Sequence, residues 1–295
     1  MSLLRFTGRR QTSTGVAGRD GTPPRSYQLA IGLTGLAVLV TLAILSLFLE
    51  ERVYDQVLVG RLRPPFWESG GSTSNVLGTD SLGRDVLSRI MAGLRVSLQI
   101  GVASVLIGSV LGVALGVLSG YYGGKIDDAI MRLTDAVLAI PIVLLALSVI
   151  AVVGGGARNL ILVIALTQWM AYARTARGEV MVLREVPFVT AAKSLGCLDW
   201  QIILRHCLPH VLPSVLVLAT LGISEAVLLE AGLSFLGLGI QPPDPSLGSM
   251  LTEGRQYIHR APWLAIYPGA VLLVLVLAIN TVGDGLRRRI DRRAR

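Results

Sequence analysis

The sequence predicts an all-α, polytopic membrane protein with six transmembrane helices, and three observations support this. The 295 residues are 52% hydrophobic and only 16% charged, whereas soluble domains are about a quarter charged. Mean hydropathy is +0.64, which suits a chain whose solvent is mostly lipid. Uncharged apolar runs recur along the chain, and about 20 such residues cross a bilayer as a helix. Aromatic residues make up only 5%, and the 33 glycines suit helices packed closely in lipid.

The first run covers residues 29–49 and carries no charge. It is longer than the apolar core of a secretory signal, and Glu50-Glu51-Arg52 after it offers no small-residue cleavage site. It therefore reads as a retained anchor. The other runs are residues 96–120, 136–153, 159–173, 208–229 and 262–282, the fourth being the shortest. In the second, Gly108, Gly112, Gly116 and Gly120 recur every four residues. Such a stripe of small residues serves helix packing more often than pore lining. Eighteen of the 27 Lys and Arg fall in the terminal segments and in the connections after the second and fourth runs. Cytoplasmic segments carry that excess, so both termini are expected inside.

The net charge of +8 follows the same rule and calls for no nucleic acid partner. Residues 1–28 are basic and rich in Gly, Ser and Thr, with a Pro23-Pro24 pair; they cannot bury a core and are expected to be disordered. Arg287-Arg288-Arg289 sits where anionic headgroups lie, worth about 1 kcal/mol per basic residue.

No catalytic chemistry is legible. Cys197 and Cys207 make no disulfide framework, and His206, His210 and His259 are too scattered for a zinc site. The stretch from Gly120 to Lys125 falls short of a phosphate-binding loop, because its first glycine is one place off and Ile126 follows the lysine. The expectation is a non-enzymatic chain with no catalytic residue, metal or cofactor of its own. Ion-coupled carriers place ionisable groups at mid-membrane, and here Glu225 and Glu230 are the exceptions in otherwise uncharged runs. Spaced i, i+5, they do not share one helical stripe. They are candidates for lining a translocation path, with a wet vestibule or a partner contact as the alternatives.

The polar connection at residues 174–205 has its own pattern. Leu183, Val186, Val189 and Ala192 recur at spacing three, with Leu195 next, so one face of a short helix is apolar. Pro187 suits its start and Gly196 its end. Such a helix lies on the membrane or docks into a groove on a soluble partner. Before the second run, Asp85 and Arg89 stand i, i+4 as a simple pair worth roughly 0.2–0.5 kcal/mol, or as an outer helix cap. The Gly- and Pro-rich residues 232–249 are expected to fold back at the outer mouth, with Pro242-Pro243 extended.

Thr190-Ala191-Ala192, then Gly196 after three residues, and His206-Cys207-Leu208-Pro209 after nine more resemble the E-A-A-x3-G-x9-I-x-L-P loop of bacterial ABC importer permeases. Thr190 replaces the glutamate and His206 the isoleucine. Four further blocks are similar to the dipeptide/oligopeptide branch of that family, in its "C" permease subunit. They are residues 77–89 (LGTDSLGRDVLSR), Gly120-Tyr121-Tyr122-Gly123-Gly124 with Asp127 and Met131-Arg132, residues 233–243 (LSFLGLGIQPP), and Gly283-Asp284-Gly285-Leu286-Arg287. The blocks stand in the family's order from about Leu77 to the C-terminus.

The resemblance implies the type I ABC importer permease fold in a bacterial cytoplasmic membrane, with rigid-body alternating access driven from outside the chain. It implies a second, "B"-type permease subunit, two ATPase subunits that hold the ATP and Mg, and an extracytoplasmic peptide-binding protein. Its organisation would be a basic tail (1–28), a first span (29–49), an extracytoplasmic loop (50–90), the permease domain (91–284) with a coupling helix near 185–196, and a basic tail (285–295). Glu185, Pro187, Phe188, Thr190, Ala191, Ala192 and Gly196 would dock on an ATPase, with Phe188 as anchor. Asp80, Arg84 and Asp85 would be candidates for touching the binding protein. Nickel and glutathione importers share these motifs, so the cargo stays open, and a stand-alone secondary transporter is the rival class.

Overall fold

The computed structural model describes residues 25–293. The predicted disordered segment 1–28 lies outside them except for residues 25–28, which open the first helix. Helix α1 (Arg25–Leu45) runs through a 3-10 turn at Ser46–Leu49 into α2 (Glu50–Tyr54). Helix α3 (Val86–Tyr122) follows a long irregular connection and is 37 residues long. It starts ten residues before the predicted run because Asp85 caps it, accepting from the Ser88 amide (2.9 Å) and hydroxyl (2.7 Å). At ~1.5 Å per residue α3 is roughly 55 Å long, so it overshoots a hydrocarbon core of about 30 Å.

Gly123 and Gly124, at φ +66° and +53°, turn the chain into α4 (Gly124–Leu138); a side chain with a Cβ rarely takes that conformation. Helix α5 (Ile142–Val153) follows at a bend of 88°. The predicted third run, 136–153, is therefore not one helix. Pro141 offers no amide to the preceding turn and restricts Ile140, which ends α4. Helix α6 (Ala157–Arg184), α7 (Pro187–Ser194) and α8 (Asp199–Ile202) come next. A five-residue π-helix at Ile203–Cys207 leads into α9 (Leu208–Phe235), then α10 (Leu247–Gln256) and α11 (Trp263–Arg293).

Among the described residues, four helical stretches are long and apolar enough to cross a membrane, or five if α4 and α5 count as one bent span. Length and apolarity alone therefore do not confirm the expected six. The fourth run is only the first half of α6, whose second half carries Arg174, Arg177, Glu179 and Arg184. The residues expected as a tail from 285 continue α11 as helix to Arg293. Residues 232–249 are shorter as a loop than expected, because α9 extends to Phe235 and α10 starts at Leu247.

The glycine stripe sets the packing. A Cβ at Gly108, Gly112, Gly116 or Gly120 would run into the carbonyl oxygen of Ala165, Trp169, Ala173 or Arg177 respectively. Helices α3 and α6 thus lie parallel, four residues of one against four of the other, backbone to backbone. Helix α9 runs antiparallel beside them, with Gly101 against Val227 and Ser97 against Glu230. One core cluster joins α3, α5, α6 and α9. A second joins the start of α3 to α1, α10 and α11. The C-terminal ends of α3 and α6 thereby converge on α7 at one end of the bundle.

Candidate functional site

At the α7 end, Pro187 is the first helical residue and Gly196 takes φ +83°, as their positions predict. The amide of Leu195 donates to the Ala191 carbonyl (3.0 Å) and that of Cys197 to the Ala192 carbonyl (3.1 Å), closing the helix around Gly196. The helix is shorter than the expected 185–196. Glu185 lies before it, exposed and paired with Arg184 at 3.0 Å. The apolar stripe turns into the chain's own core except at its end, where Leu195 is 84% exposed. Val189 is fully buried and Leu183 nearly so, with Val186 and Ala192 packed against the same core. Burying the Val189 side chain alone is worth ~1.5–3 kcal/mol. What faces outward is Pro187, Phe188, Ala191 and Gly196. Phe188 stands edge-on to His206, ring centroids 5.5 Å apart, and Thr190 lies inside the helix.

Several polar pairings near the C-terminal ends of α3 and α6 escaped the sequence reading because the partners are distant in the chain. Asp127 accepts from Arg177 Nε (2.5 Å) and Nη2 (2.6 Å) and from the Ser119 hydroxyl (2.5 Å), locking α3, α4 and α6 together. The Tyr121 hydroxyl donates to Asp199 Oδ1 at 2.6 Å, and Arg184 Nη1 donates to the Gly120 carbonyl at 3.3 Å. Tyr121 and Asp127 stand in one of the family-like blocks, but nothing adjacent in the sequence names Ser119, Arg177 or Asp199 as their partners.

At the opposite end, Asp80, Arg84 and Asp85 are 3%, 4% and 8% exposed and Arg89 is 1% exposed. Arg84 Nε meets Asp80 Oδ2 at 2.6 Å, and Arg89 Nε lies 3.4 Å from the same oxygen. Both guanidinium groups also reach Glu253, at 3.3 and 3.4 Å. Asp80 Oδ1 accepts the amides of Leu82 and Arg84 at 2.9 Å each. Of the two readings of Asp85, the helix cap is the one the structure shows, while its pairing with Arg89 and the contact to a binding protein are corrected. Asp85 is spent on capping α3, so Arg89 pairs with Asp80 and Glu253 rather than with Asp85. The contact expected from Asp80, Arg84 and Asp85 to a binding protein has no exposed surface to act through, because their charges are turned inward.

The two glutamates of α9 part company. Glu230 is fully buried and accepts from the hydroxyls of Ser97 and Ser234, each at 2.7 Å. It pins α9 to α3 and lines no path, which corrects that expectation. Glu225 is exposed on another face. Near it, Ser224 bonds Asn280 of α11 at 2.7 Å and Gln168 of α6 donates to the Gly222 carbonyl at 3.1 Å. An ionised side chain at the centre of a lipid-facing helix costs about 2.5–3.5 kcal/mol, so the Glu225 face suits water or protein. A cavity of about 500 Å³ opens between α3, the start of α6 and residues 240–245, bordered by Arg95, Gln99, Gln241 and Asp244. The Tyr54 hydroxyl donates to Asp244 at 2.8 Å across its rim.

Comparison with known proteins agrees with this geometry. The chain is 44% identical over 222 residues to the glutathione transport system permease protein GsiD of Pectobacterium atrosepticum, covering 75% of this chain and 74% of that one. It is 44% identical over 230 residues to the di/tripeptide transport system permease protein DppC of Pseudomonas aeruginosa, covering 78% and 76%. It is 40% identical over 262 residues to the dipeptide transport system permease protein DppC of Haemophilus influenzae, covering 88% and 89%. Among solved structures, the inward-facing MetNI methionine ABC transporter has a chain that superposes with a TM-score of 0.54 at 23% identity, covering 70% of this chain and 96% of that one. This similarity shows the type I ABC permease fold. Residues 112–295 match the family of binding-protein-dependent transport system inner membrane components, and the chain belongs to that family.

Proposed function

We propose that this chain is one of two permease subunits of an ATP-driven importer of di- or oligopeptides, and that α7 is its coupling helix. The observation that carries the reading is the construction of α7. Its apolar stripe is anchored in the chain's own core, while Pro187, Phe188, Ala191 and Gly196 project outward from the end where α3 and α6 converge. A helix fastened on one side and bare on the other, without a phosphate loop in the sequence, suits a lever moved by a separate motor. In this reading α7 and both termini face the cytoplasm. ATP and Mg reside on two partner ATPases, whose closure pushes on Phe188, and Thr190 and Glu185 border that contact. A second permease covers part of the membrane surface, and an extracytoplasmic binding protein delivers cargo. Glu225 faces the translocation path, whose outer mouth includes the cavity bordered by Arg95 and Asp244. The DppC relatives favour peptide cargo; the GsiD relative favours glutathione, itself a small peptide, as the second reading.

The test is reconstitution of this chain with its second permease, ATPases and binding protein in proteoliposomes. ATP-dependent uptake of labelled dipeptide is expected. Solute movement by this chain alone, without ATP or partners, would overturn the importer reading. Labelled glutathione in place of dipeptide decides between the cargoes. Within that complex, Gly196→Val puts a β-branched residue at φ +83°, a strain of order 1–3 kcal/mol. ATP hydrolysis is expected to persist while uptake drops about tenfold or more. Unchanged uptake would show that the turn after α7 carries no coupling.

A further inference from the structure

We infer that the last turn of α3 receives the displacement of α7 through a two-point clasp, and that Tyr121 and Asp199 are its positioning residues. The inference rests on the permease reading. The chain leaves α6 at Arg184, whose Nη1 donates to the Gly120 carbonyl at 3.3 Å. It passes through α7 and reaches Asp199, which accepts from the Tyr121 hydroxyl at 2.6 Å. Gly120 and Tyr121 are adjacent in the last turn of α3. The segment carrying α7 is therefore tied at both its ends to one turn of a helix to which it is not covalently adjacent.

The geometry selects which helix moves first. Through the backbone alone, a push on α7 reaches α6 before it and α9 after it. On the α9 side the connection is a π-helix at Ile203–Cys207, whose wider i→i+5 spacing departs from the regular α-helical ladder. On the α3 side, the Tyr121–Asp199 bond has an ionised acceptor, and charge-assisted bonds are about twice as strong as neutral ones. Beyond the clasp, α3 and α6 touch backbone to backbone along the glycine stripe, and close-packed elements transmit displacement rather than absorb it. The clasp thus joins α3, α6 and α7 into one body at this end, and the π-helix is the irregular link through which the same push passes on to α9.

The test uses the complete importer in proteoliposomes, reading ATP hydrolysis, peptide uptake and their ratio, with thermal stability in detergent alongside. Tyr121→Phe removes only a hydroxyl. Asp199→Ala removes the acceptor at an exposed position and so folds even where a change at the buried Tyr121 does not. Each is expected to lower uptake per ATP hydrolysed by about tenfold, with basal hydrolysis within about twofold of wild type. Asp199→Asn keeps an oxygen acceptor and should retain most of the ratio. The double variant should be no worse than either single, as partners in one bond behave. A ratio unchanged in both single variants, with stability alone reduced, overturns the clasp; so do losses that multiply in the double variant. A wild-type complex that takes up no solute under ATP overturns the permease reading and the clasp with it.

Discussion

Gly116→Ala is expected to destabilise the chain by about 3 kcal/mol or more and to strip most of the folded protein from the membrane. A methyl there meets the Ala173 carbonyl oxygen and Cα of α6 well inside contact distance, and at Gly112 it meets the Trp169 carbonyl and Tyr172. Overpacking a close-packed site costs about 1–3 kcal/mol where side chains can shift. Here the obstacle is backbone held in a helix, so relief requires the two helices to move apart along their shared length. Gly108 is the milder case, since its Cβ would stand 3.0 Å from the Ala165 carbonyl, and Gly108→Ala should cost less than the next two. Gly232→Ala is the control: apart from its own helix backbone and chain neighbours nothing lies within 4 Å of a Cβ there, and in a helix interior alanine gains roughly 0.5–1 kcal/mol over glycine. Thermal denaturation in detergent checks the order. Equal stability of Gly116→Ala and Gly232→Ala would mean that α3 and α6 do not meet through the stripe.

That stripe was legible because its spacing of four places every member on one helix face, and spacing within an element is a property of sequence. The same holds for α7, where Pro187, Gly196 and the Val186–Val189–Ala192 stripe announced a start, a stop and an apolar side. What the pattern did not reveal was whose core the apolar side enters. Val189 turns inward onto its own chain, and the outward surface is the one carrying Phe188. The break at Pro141 was hidden by continuous apolarity on both sides of it, which hydropathy reads as one run. The charged groups misled for another reason. Asp80, Arg84 and Asp85 look like surface residues by type, yet they are buried, and the half-buried Glu253, more than 160 positions later, reaches both Arg84 and Arg89. Likewise Glu230 and Glu225 differ only in which face of α9 they occupy, and that is decided by the serines of α3 and α9 rather than by anything adjacent to them. Short-range periodicity was readable, while partners drawn from distant segments were not.

Arg89→Met is expected to cost about 3–5 kcal/mol, the toll of stranding a charge in the interior. The group it belongs to is balanced, two guanidinium ions against the carboxylates of Asp80 and Glu253, with the Arg89 side chain 1% and the Asp80 side chain 5% exposed. Methionine keeps most of the stem volume, so the loss reads as electrostatics rather than as a cavity. Adding Asp80→Asn should then recover about half or more of it, because Arg84 and Glu253 remain as a neutral pair and the asparagine oxygen can still accept the amides of Leu82 and Arg84. A surface pair sets the scale: Arg174 and Asp135 lie 2.5 Å apart, but their side chains are 51% and 64% exposed, and Arg174→Met should cost no more than about 1 kcal/mol. Raising the salt concentration separates the two further, since screening acts on exposed charges and hardly reaches buried ones. Should Arg89→Met prove as mild as Arg174→Met, or should Asp80→Asn deepen its defect, the cluster at the start of α3 would not be an electrostatic unit. Water or a partner would then have to be supplying the missing charge.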